Sequence, residues 1–204
     1  MAKVSLLLLD IGGVLVSNGW DRDSRAEGCR RFGLDLSRYE RRHASLVDRF
    51  ERGGLSLEEY LNATLGEVPP DFPRKDFEAF MFSQSRPIEP ALSLTRRLAQ
   101  GKVVPMAALS NESLELNEMR IRQFGLDAIF SLFFSSCYTG LRKPEPRAYR
   151  LVLGITRRSP DACLFIDDRE ENVAAATVLG IPAVHLTDPS RLGKVLQEFG
   201  ISGE

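Results

Sequence analysis

The stretch Val4-Ser-Leu-Leu-Leu-Leu-Asp10-Ile-Gly-Gly13 decides the fold. A short apolar run over residues 4–9, without strict alternation, is typical of a strand that is buried on both faces of a parallel sheet. Asp10 and the two glycines end the run. Because ligands bind beyond the carboxyl ends of parallel strands, Asp10 is placed where chemistry is expected.

Four further apolar runs predict the rest of this sheet, and they cover residues 103–109, 128–134, 162–166 and 182–186. Helical patterns at 89–100, 112–124 and 170–179 are each followed by a glycine, which is the usual sign of a helix C-terminus. Strands that alternate with helices over short loops predict an α/β fold, a doubly wound, Rossmann-like parallel sheet.

Residues 18–84 interrupt this alternation and contain no run typical of a strand. The periodic segments 37–52 and 76–82 and the capping box Ser56-Leu-Glu-Glu59 predict helices, with prolines at positions 69, 70 and 73 between them. We therefore predict two units, an α/β core of residues 1–17 and 85–204 and an all-helical insertion of residues 18–84.

Composition sets the expectations about partners and compartment. The chain has 27 basic and 28 acidic residues, a net charge of -1, which argues against nucleic acid as a partner. Three dispersed cysteines predict reduced thiols, and two distant histidines argue against a zinc site. Residues 4–9 are too few to span a membrane and lack a signal-peptide pattern. We expect a cytoplasmic protein, monomeric or a small homo-oligomer, that binds no membrane.

Polar groups that follow predicted strands, together with Lys143 on the loop before a helix predicted at Glu145, should meet in one crevice. They are Asp10, Ser110, Asn111, Lys143, Asp167 and Asp168. Phosphoryl transfer to a carboxylate requires such a set: one attacking carboxylate, donors for the phosphoryl oxygens and acidic ligands for a hard cation. Three carboxylates, one lysine and one Mg²⁺ balance in charge, so a phosphate dianion enters without net repulsion.

In order and spacing, these residues resemble the motifs of the haloacid dehalogenase (HAD) superfamily of hydrolases. The matching strings are Asp10-Ile-Gly-Gly-Val-Leu15, Ala108-Leu-Ser-Asn111, Lys143-Pro144 and Phe165-Ile-Asp-Asp-Arg-Glu-Glu-Asn172, followed by Gly180-Ile-Pro182. The resemblance covers nearly the whole chain. The helical insertion after the first motif is similar to the small cap of that family, in its phosphatase-like branch.

The resemblance implies a role for each residue. Asp10 would be the nucleophile, and Lys143 would bridge Asp10 and the phosphate. The residues implied to contact the phosphoryl group are Ser110, Asn111, Gly12 and Gly13. The groups implied to hold Mg²⁺ are Asp10, the Gly12 carbonyl, Asp167 and Asp168, with Asp168 favoured as a direct ligand. Asn172 would orient the acid pair.

One position departs from the family pattern. Most phosphatases that this chain resembles carry a second aspartate two residues after the nucleophile, as general acid and then general base, but Gly12 stands there. Such help is worth about 10²–10⁴-fold in rate. Three alternatives follow: a substrate with a good leaving group, a substitute acid such as Asp21 or Asp23, or a site that binds without turnover.

The predicted activity is Mg²⁺-dependent hydrolysis of a small phosphorylated metabolite, such as a sugar phosphate, through an aspartyl phosphate. One alternative is a weak or silent protein that binds a phosphorylated ligand. Another is a 2-haloacid dehalogenase, which needs no Mg²⁺ and which the acid pair therefore argues against. Trp20 is expected either to cover the substrate or to pack between the units, His43 to lie on the surface, and His185 to be structural.

Overall fold

The structure is a computed structural model that describes residues 3–66 and 71–202. Five strands form a parallel sheet within these residues: β1 (Leu6–Leu9), β2 (Met106–Ser110), β3 (Leu132–Ser135), β4 (Cys163–Asp167) and β5 (Ala183–His185). Their order is β3-β2-β1-β4-β5, and every pair is parallel. The predicted α/β fold class is confirmed, and β1 is the central strand.

The structure corrects the extent of two predicted strands. β2 begins at Met106 because Pro105 has no amide hydrogen for the ladder, although its carbonyl accepts from the Leu7 amide at 2.9 Å. β3 begins at Leu132 instead of residue 128. Residues 126–128 form a turn of 3-10 helix, which follows the left-handed Gly125 (φ 59°).

The described residues form ten α-helices. They are α1 (Arg22–Arg31), α2 (Leu36–Glu51), α3 (Leu57–Leu65), α4 (Arg74–Ser83), α5 (Glu89–Gln100), α6 (Leu114–Phe124), α7 (Ser136–Thr139), α8 (Pro146–Thr156), α9 (Glu170–Val178) and α10 (Leu192–Glu198). The sequence predicted neither α7 nor α10. The part of the chain that the structure describes holds no helix with the length and apolar content to cross a membrane.

β1 shows why the sheet has helices on both faces. Leu7 and Leu9 belong to one buried apolar cluster, and Leu6 and Leu8 belong to another on the opposite face. Fully burying a leucine stabilises the fold by about 1.5–3 kcal/mol. The run of four leucines therefore anchors both layers of the core, as its lack of polar alternation predicts.

Helices α1–α4 pack around their own apolar cluster, which includes Tyr39, Tyr60, Phe77 and Met81. The predicted capping box begins α3: Ser56 Oγ accepts from the Glu59 amide at 3.2 Å, and Glu59 Oε2 accepts from the Ser56 amide at 2.8 Å. Pro73 directly precedes α4, whereas the prolines at 69 and 70 lie outside the described residues.

Candidate active site

Three carboxylates meet at the carboxyl edge of the sheet. β1 and β4 pair through Leu9 and Ile166, and the Asp10 amide donates to the Ile166 carbonyl at 2.9 Å. Asp10, Asp167 and Asp168, which follow or end these strands, each place one oxygen within 4.8 Å of the others. Strand register alone therefore gathers the predicted nucleophile and the predicted acid pair.

Lys143 is the cation of this cluster. Its Nζ lies 2.9 Å from Asp10 Oδ2 and 2.6 Å from Asp167 Oδ2, and the residue is 3% exposed. Asn111 fixes the Lys143 loop, because its Nδ2 donates to the Lys143 carbonyl and its Oδ1 accepts from the Lys143 amide, both at 2.9 Å. Asn111 thus contacts backbone here, and its contact with phosphate stays a prediction.

The cluster of Asp10, Asp167, Asp168 and Lys143 holds more acidic than basic groups. Burial raises the pKa of Asp10 to about 7; Lys143 opposes this rise, and the neighbouring Asp167 and Asp168 add to it. Burial lowers the pKa of Lys143, but the facing Asp10 and Asp167 more than offset this effect and leave it raised. One ammonium therefore faces three carboxylates, an excess of negative charge that a divalent cation would neutralise.

The two acids at the end of β4 differ in whether a carboxylate oxygen lacks a hydrogen-bond partner among the described residues. Asp167 Oδ1 accepts from the Arg169 amide at 2.8 Å and from Asn172 Nδ2 at 2.9 Å, while Oδ2 accepts from Lys143. Asp168 Oδ2 accepts from Asn18 Nδ2 at 3.0 Å, but its buried Oδ1 has no partner among the described residues. An orphaned carboxylate oxygen beside two other acids fits Mg²⁺, which prefers oxygen ligands.

The glycine loop after Asp10 makes room for these acids. Gly13 has φ 72°, and a Cβ there would lie 2.1 Å from Asp168 Oδ2, so only glycine fits. At Gly12 a side chain would be in tight contact with its neighbours. A Cβ there would lie 3.1 Å from Asn18 Oδ1 and 3.5 Å from Arg120 Nη1.

Ser110 ends β2 beside a buried ion pair that the sequence analysis did not identify. Ser110 Oγ lies 3.4 Å from Glu112 Oε1, and this oxygen also bonds to Arg120. The signal for Arg120 is visible in the sequence: residues 116, 120 and 124 share one face of α6, and the other two are the apolar Leu116 and Phe124. An arginine on an apolar face requires a buried partner.

Arg120 also joins the core to both connections of the helical insertion. Its Nε donates to Ser85 Oγ at 3.0 Å, and its Nη2 donates to the Asn18 carbonyl at 3.0 Å. A Cβ on Gly19 would lie 2.0 Å from Nη2, so glycine is required there as well.

A cleft of about 410 Å³ opens above this cluster, between the sheet edge and the helical insertion. Trp20 lines it, and the Trp20 ring packs edge-on against Tyr39, Phe77 and Phe80 of the insertion. Trp20 Nε1 donates to Tyr60 Oη at 3.1 Å. Trp20 therefore packs within the insertion and also faces the space where a substrate would lie.

The expectation that His43 lies on the surface is wrong. His43 is half-buried and lines the cleft, and its Nδ1 lies 2.8 Å from Tyr60 Oη. Burial, with the nearby Arg25 charge, lowers the pKa of His43 to about 4. His185 is exposed, and its Nε2 lies 3.0 Å from the Asp168 carbonyl oxygen, a structural contact.

The two candidate substitute acids are placed differently. Asp21 lines the cleft, but its Oδ1 accepts from the Ser24 amide at 2.8 Å and so caps α1. Asp23 is exposed in the first turn of α1 and does not line the cleft, which argues against it as the missing acid.

Ion pairs join α2 and Arg52 of the insertion to the segment around Lys143. Arg142, directly before Lys143, contacts Asp48 at 2.9 Å and Glu51 at 2.6 Å, both on α2. Arg52, which follows α2, pairs with Glu145. The insertion is thus held over the site by contacts next to Lys143.

Comparison with known proteins identifies the family of this chain. A model of the haloacid dehalogenase-like hydrolases matches residues 4–180. Flavin mononucleotide hydrolase 1 of Arabidopsis thaliana is 29% identical over 201 residues, which cover 98% of this chain and 79% of that protein. Phosphatase MT3486 of Mycobacterium tuberculosis is 29% identical over 200 residues, 92% of this chain and 89% of that protein.

A solved structure agrees with the fold. The magnesium complex of the HAD family enzyme bt-2542 of Bacteroides thetaiotaomicron has a TM-score of 0.78 and 22% identity, over 95% of this chain and 98% of that one. At this identity the likeness is evidence for the fold alone.

Proposed function

The chain belongs to the haloacid dehalogenase-like hydrolase family, and from that premise we propose that it is a Mg²⁺-dependent phosphatase that acts on a small phosphate monoester through Asp10. The observation that carries the proposal is the contact of buried Asp10 with Lys143, beside two further carboxylates. The phosphatase and the flavin mononucleotide hydrolase among its relatives support this choice of reaction.

In the proposed mechanism, a carboxylate oxygen of Asp10 attacks phosphorus in line, and the bond to the leaving oxygen breaks. The Ile11 amide donates to Asp10 Oδ1 at 2.7 Å and Lys143 holds Oδ2, so the nucleophile is oriented before the substrate binds. Lys143 and Ser110 then donate to the phosphoryl oxygens as negative charge builds up. Water finally hydrolyses the aspartyl phosphate and frees inorganic phosphate.

A cation belongs to this proposal. Asp10, Asp168 and the Gly12 carbonyl would hold Mg²⁺, with Asp167 held behind them by Asn172. When bound, Mg²⁺ supplies positive charge for the phosphoryl oxygens. Displacement of halide from a 2-haloacid requires no such charge, and the three-carboxylate cluster therefore favours phosphate over haloacid as substrate.

The substrate is a small phosphorylated metabolite. We assign residues 18–84 to a cap and residues 1–17 and 85–204 to the core, so that the cleft of about 410 Å³ between them holds the leaving group. Trp20 and Phe50 line the cap side and offer apolar contact. Since Gly12 supplies no acid, the leaving group is one that departs readily, such as an anomeric sugar or an aryl alcohol.

The test is hydrolysis of para-nitrophenyl phosphate with and without Mg²⁺, in the wild type, in Asp10→Asn and in the exposed control Asp127→Asn. We expect turnover that requires Mg²⁺, is lost in Asp10→Asn and is kept in the control. Across a series of aryl phosphates, the rate should fall steeply as the leaving-group pKa rises. Turnover that persists in Asp10→Asn would reject the proposal.

Gly12 favours a second candidate, a protein that binds a phosphorylated ligand without turning it over. That protein would be stabilised against thermal unfolding by inorganic phosphate with Mg²⁺, but it would release no para-nitrophenol. The same two measurements therefore separate the candidates.

A further inference from the structure

We propose that Glu112 is the general base that activates water for hydrolysis of the phosphorylated Asp10, in place of the carboxylate that Gly12 lacks. This assignment rests on the proposed phosphatase function.

Glu112 adjoins the phosphate site. Its Oε1 lies 3.4 Å from the Oγ of Ser110, the hydroxyl assigned to a phosphoryl oxygen. Ser110 ends β2 next to the end of β1, where Asp10 begins its loop. A phosphoryl group on Asp10 that reaches Ser110 therefore comes within a few ångström of the Glu112 carboxylate.

Glu112 also adjoins the position of the missing acid. Arg120 Nη1 bonds to Glu112 Oε1 and lies 3.5 Å from the point that a Cβ of residue 12 would occupy. Since a hydrogen bond from Arg120 Nη1 to Glu112 Oε1 spans about 3 Å, the Cβ point and Oε1 are at most about 6.5 Å apart. A second carboxylate is thus present in the neighbourhood from which residue 12 would act.

The structure holds Glu112 in place and leaves part of it free. Its amide donates to Ser136 Oγ at 2.9 Å, and Arg120 holds Oε1, so the carboxylate is pre-oriented. Oε2 has no hydrogen-bond partner among residues 3–66 and 71–202, and Glu112 lines the cleft while being only 7% exposed. Oε2 is therefore available to a water molecule in the cleft.

Other cleft groups are less well placed for this role. Asp21 caps α1, and Glu51 lies on the insertion in an ion pair with Arg142. His43 is bound to Tyr60 on the insertion. Of the acids that line the cleft outside the cation cluster, Glu112 is the one that contacts Ser110.

The oxygen of water attacks phosphorus, the bond between phosphorus and the Asp10 oxygen breaks, and its electron pair returns to the Asp10 carboxylate. One water proton passes to the Glu112 carboxylate. Glu112 then releases the proton to solvent as inorganic phosphate leaves.

The test is rapid mixing of para-nitrophenyl phosphate and Mg²⁺ with wild type, Glu112→Gln and Glu112→Asp. Glu118→Gln, on α6 and outside the cleft, is the matched control. Glutamine keeps the size and an acceptor for Arg120 but cannot take a proton. We expect Glu112→Gln to release about one product per enzyme at a rate no slower than wild-type turnover, and then to continue about 10²–10⁴-fold more slowly.

Mass spectrometry of acid-quenched Glu112→Gln should find phosphate on Asp10, and Glu112→Asp, which keeps a carboxylate, should recover part of the steady rate. An equal fall of burst and steady rates would instead reveal a structural role and overturn the proposal. So would an unchanged steady rate, or equal defects in Glu112→Gln and Glu112→Asp. A wild type without turnover would reject the phosphatase function itself, which is a distinct result.

Discussion

The Nζ of Lys143 lies 2.6 Å from Oδ2 of Asp167, and both side chains are buried. The same ammonium contacts Asp10, so a single positive charge links the residues at the ends of β1 and β4. Ion pairs of this kind are sensitive to the loss of one partner, because the charges that remain are left in an apolar setting.

Lys143→Met is therefore expected to lower the free energy of unfolding by about 3–5 kcal/mol without Mg²⁺ and to abolish turnover. Mg²⁺ should stabilise this variant more than the wild type, since the cation would neutralise carboxylates that have lost their lysine. Chemical denaturation with and without Mg²⁺ measures both effects. The exposed Lys194→Met should match the wild type, and equal stabilisation of Lys143→Met and wild type by Mg²⁺ would contradict the prediction.

Asp167 and Asp168 should separate into a structural and a cation-binding role. Asp167 accepts hydrogen bonds through both oxygens, whereas Asp168 has a buried oxygen without a partner in the described part of the chain. We expect Asp168→Asn to weaken Mg²⁺ binding by at least about 10–100-fold with little change in stability. Asp167→Asn should lower the stability of the Mg²⁺-free protein. Mg²⁺ titration by calorimetry and denaturant unfolding measure the two effects. Weaker Mg²⁺ binding in Asp167→Asn together with lower stability in Asp168→Asn would contradict the assignment.

The sequence predicts the parts of this site that depend on local pattern. Asp10 directly follows an apolar run, and Asp167 ends another, so the parallel sheet brings them together without further information. Lys143 lies in the loop before α8 and not at a strand end, and its signal is the order of the family motifs.

Contacts between distant segments were not predictable in the same way. Arg120 donates to the carbonyl of Asn18, which is 102 residues earlier in the chain. Glu112 is recognised only through its ion pair with Arg120. The β3 boundary was wrong because residues 126–128 form a 3-10 turn, and Ile129 and Phe130, which follow this turn, join the apolar core from outside the strand. His43 was misjudged because its burial depends on Tyr60 of another helix.

His43 should make stability depend on pH. Its pKa is lowered to about 4 by burial, whereas in the unfolded chain it is near 6.5. The unfolded state then binds more protons between these values, so the contribution is present above pH 6.5 and is lost as pH falls toward 4. With screening at this half-buried site, the loss is about 1–2 kcal/mol.

Urea unfolding of wild type and His43→Gln at pH 7 and pH 4.5 measures this contribution. Glutamine keeps a polar group beside Tyr60 but does not titrate, so His43→Gln should lose less stability than the wild type on acidification. The exposed His185→Gln serves as control and should follow the wild type. Parallel losses in wild type and His43→Gln would show that the imidazole is not protected from protonation.

Gly13→Ala should disable the site through two effects, backbone strain and a steric clash with Asp168. The left-handed φ of 72° costs an alanine about 1–2 kcal/mol, and the added methyl would lie 2.1 Å from Asp168 Oδ2. The displaced carboxylate should weaken Mg²⁺ binding as well as stability. Gly33→Ala is the control, since Gly33 has φ 66° but no atom within 4 Å of its Cβ position. If both variants bound Mg²⁺ like the wild type, the close approach at Gly13 would be unimportant.

Gly12→Asp tests whether the missing acid limits the reaction. Gly12 does not have a left-handed φ, and the nearest obstacle to a Cβ, Asn18 Oδ1 at 3.1 Å, belongs to an exposed side chain that can move by a few tenths of an ångström. Arg120 would then lie next to two carboxylates. We expect the variant to hydrolyse alkyl phosphates about 10–10²-fold faster, with a smaller gain for aryl phosphates, since a poor leaving group profits most from an acid.

The control for that substitution is Gly12→Asn, which has the same size and no acid. If Gly12→Asn gives the same gain, the effect comes from packing; if neither gains, proton transfer at residue 12 does not limit turnover. Adding Gly12→Asp to Glu112→Gln sharpens the test, because a new carboxylate near Arg120 should restore part of the lost dephosphorylation rate. Restoration by aspartate but not by asparagine would show that residues 12 and 112 supply the same proton transfer from two places in the fold.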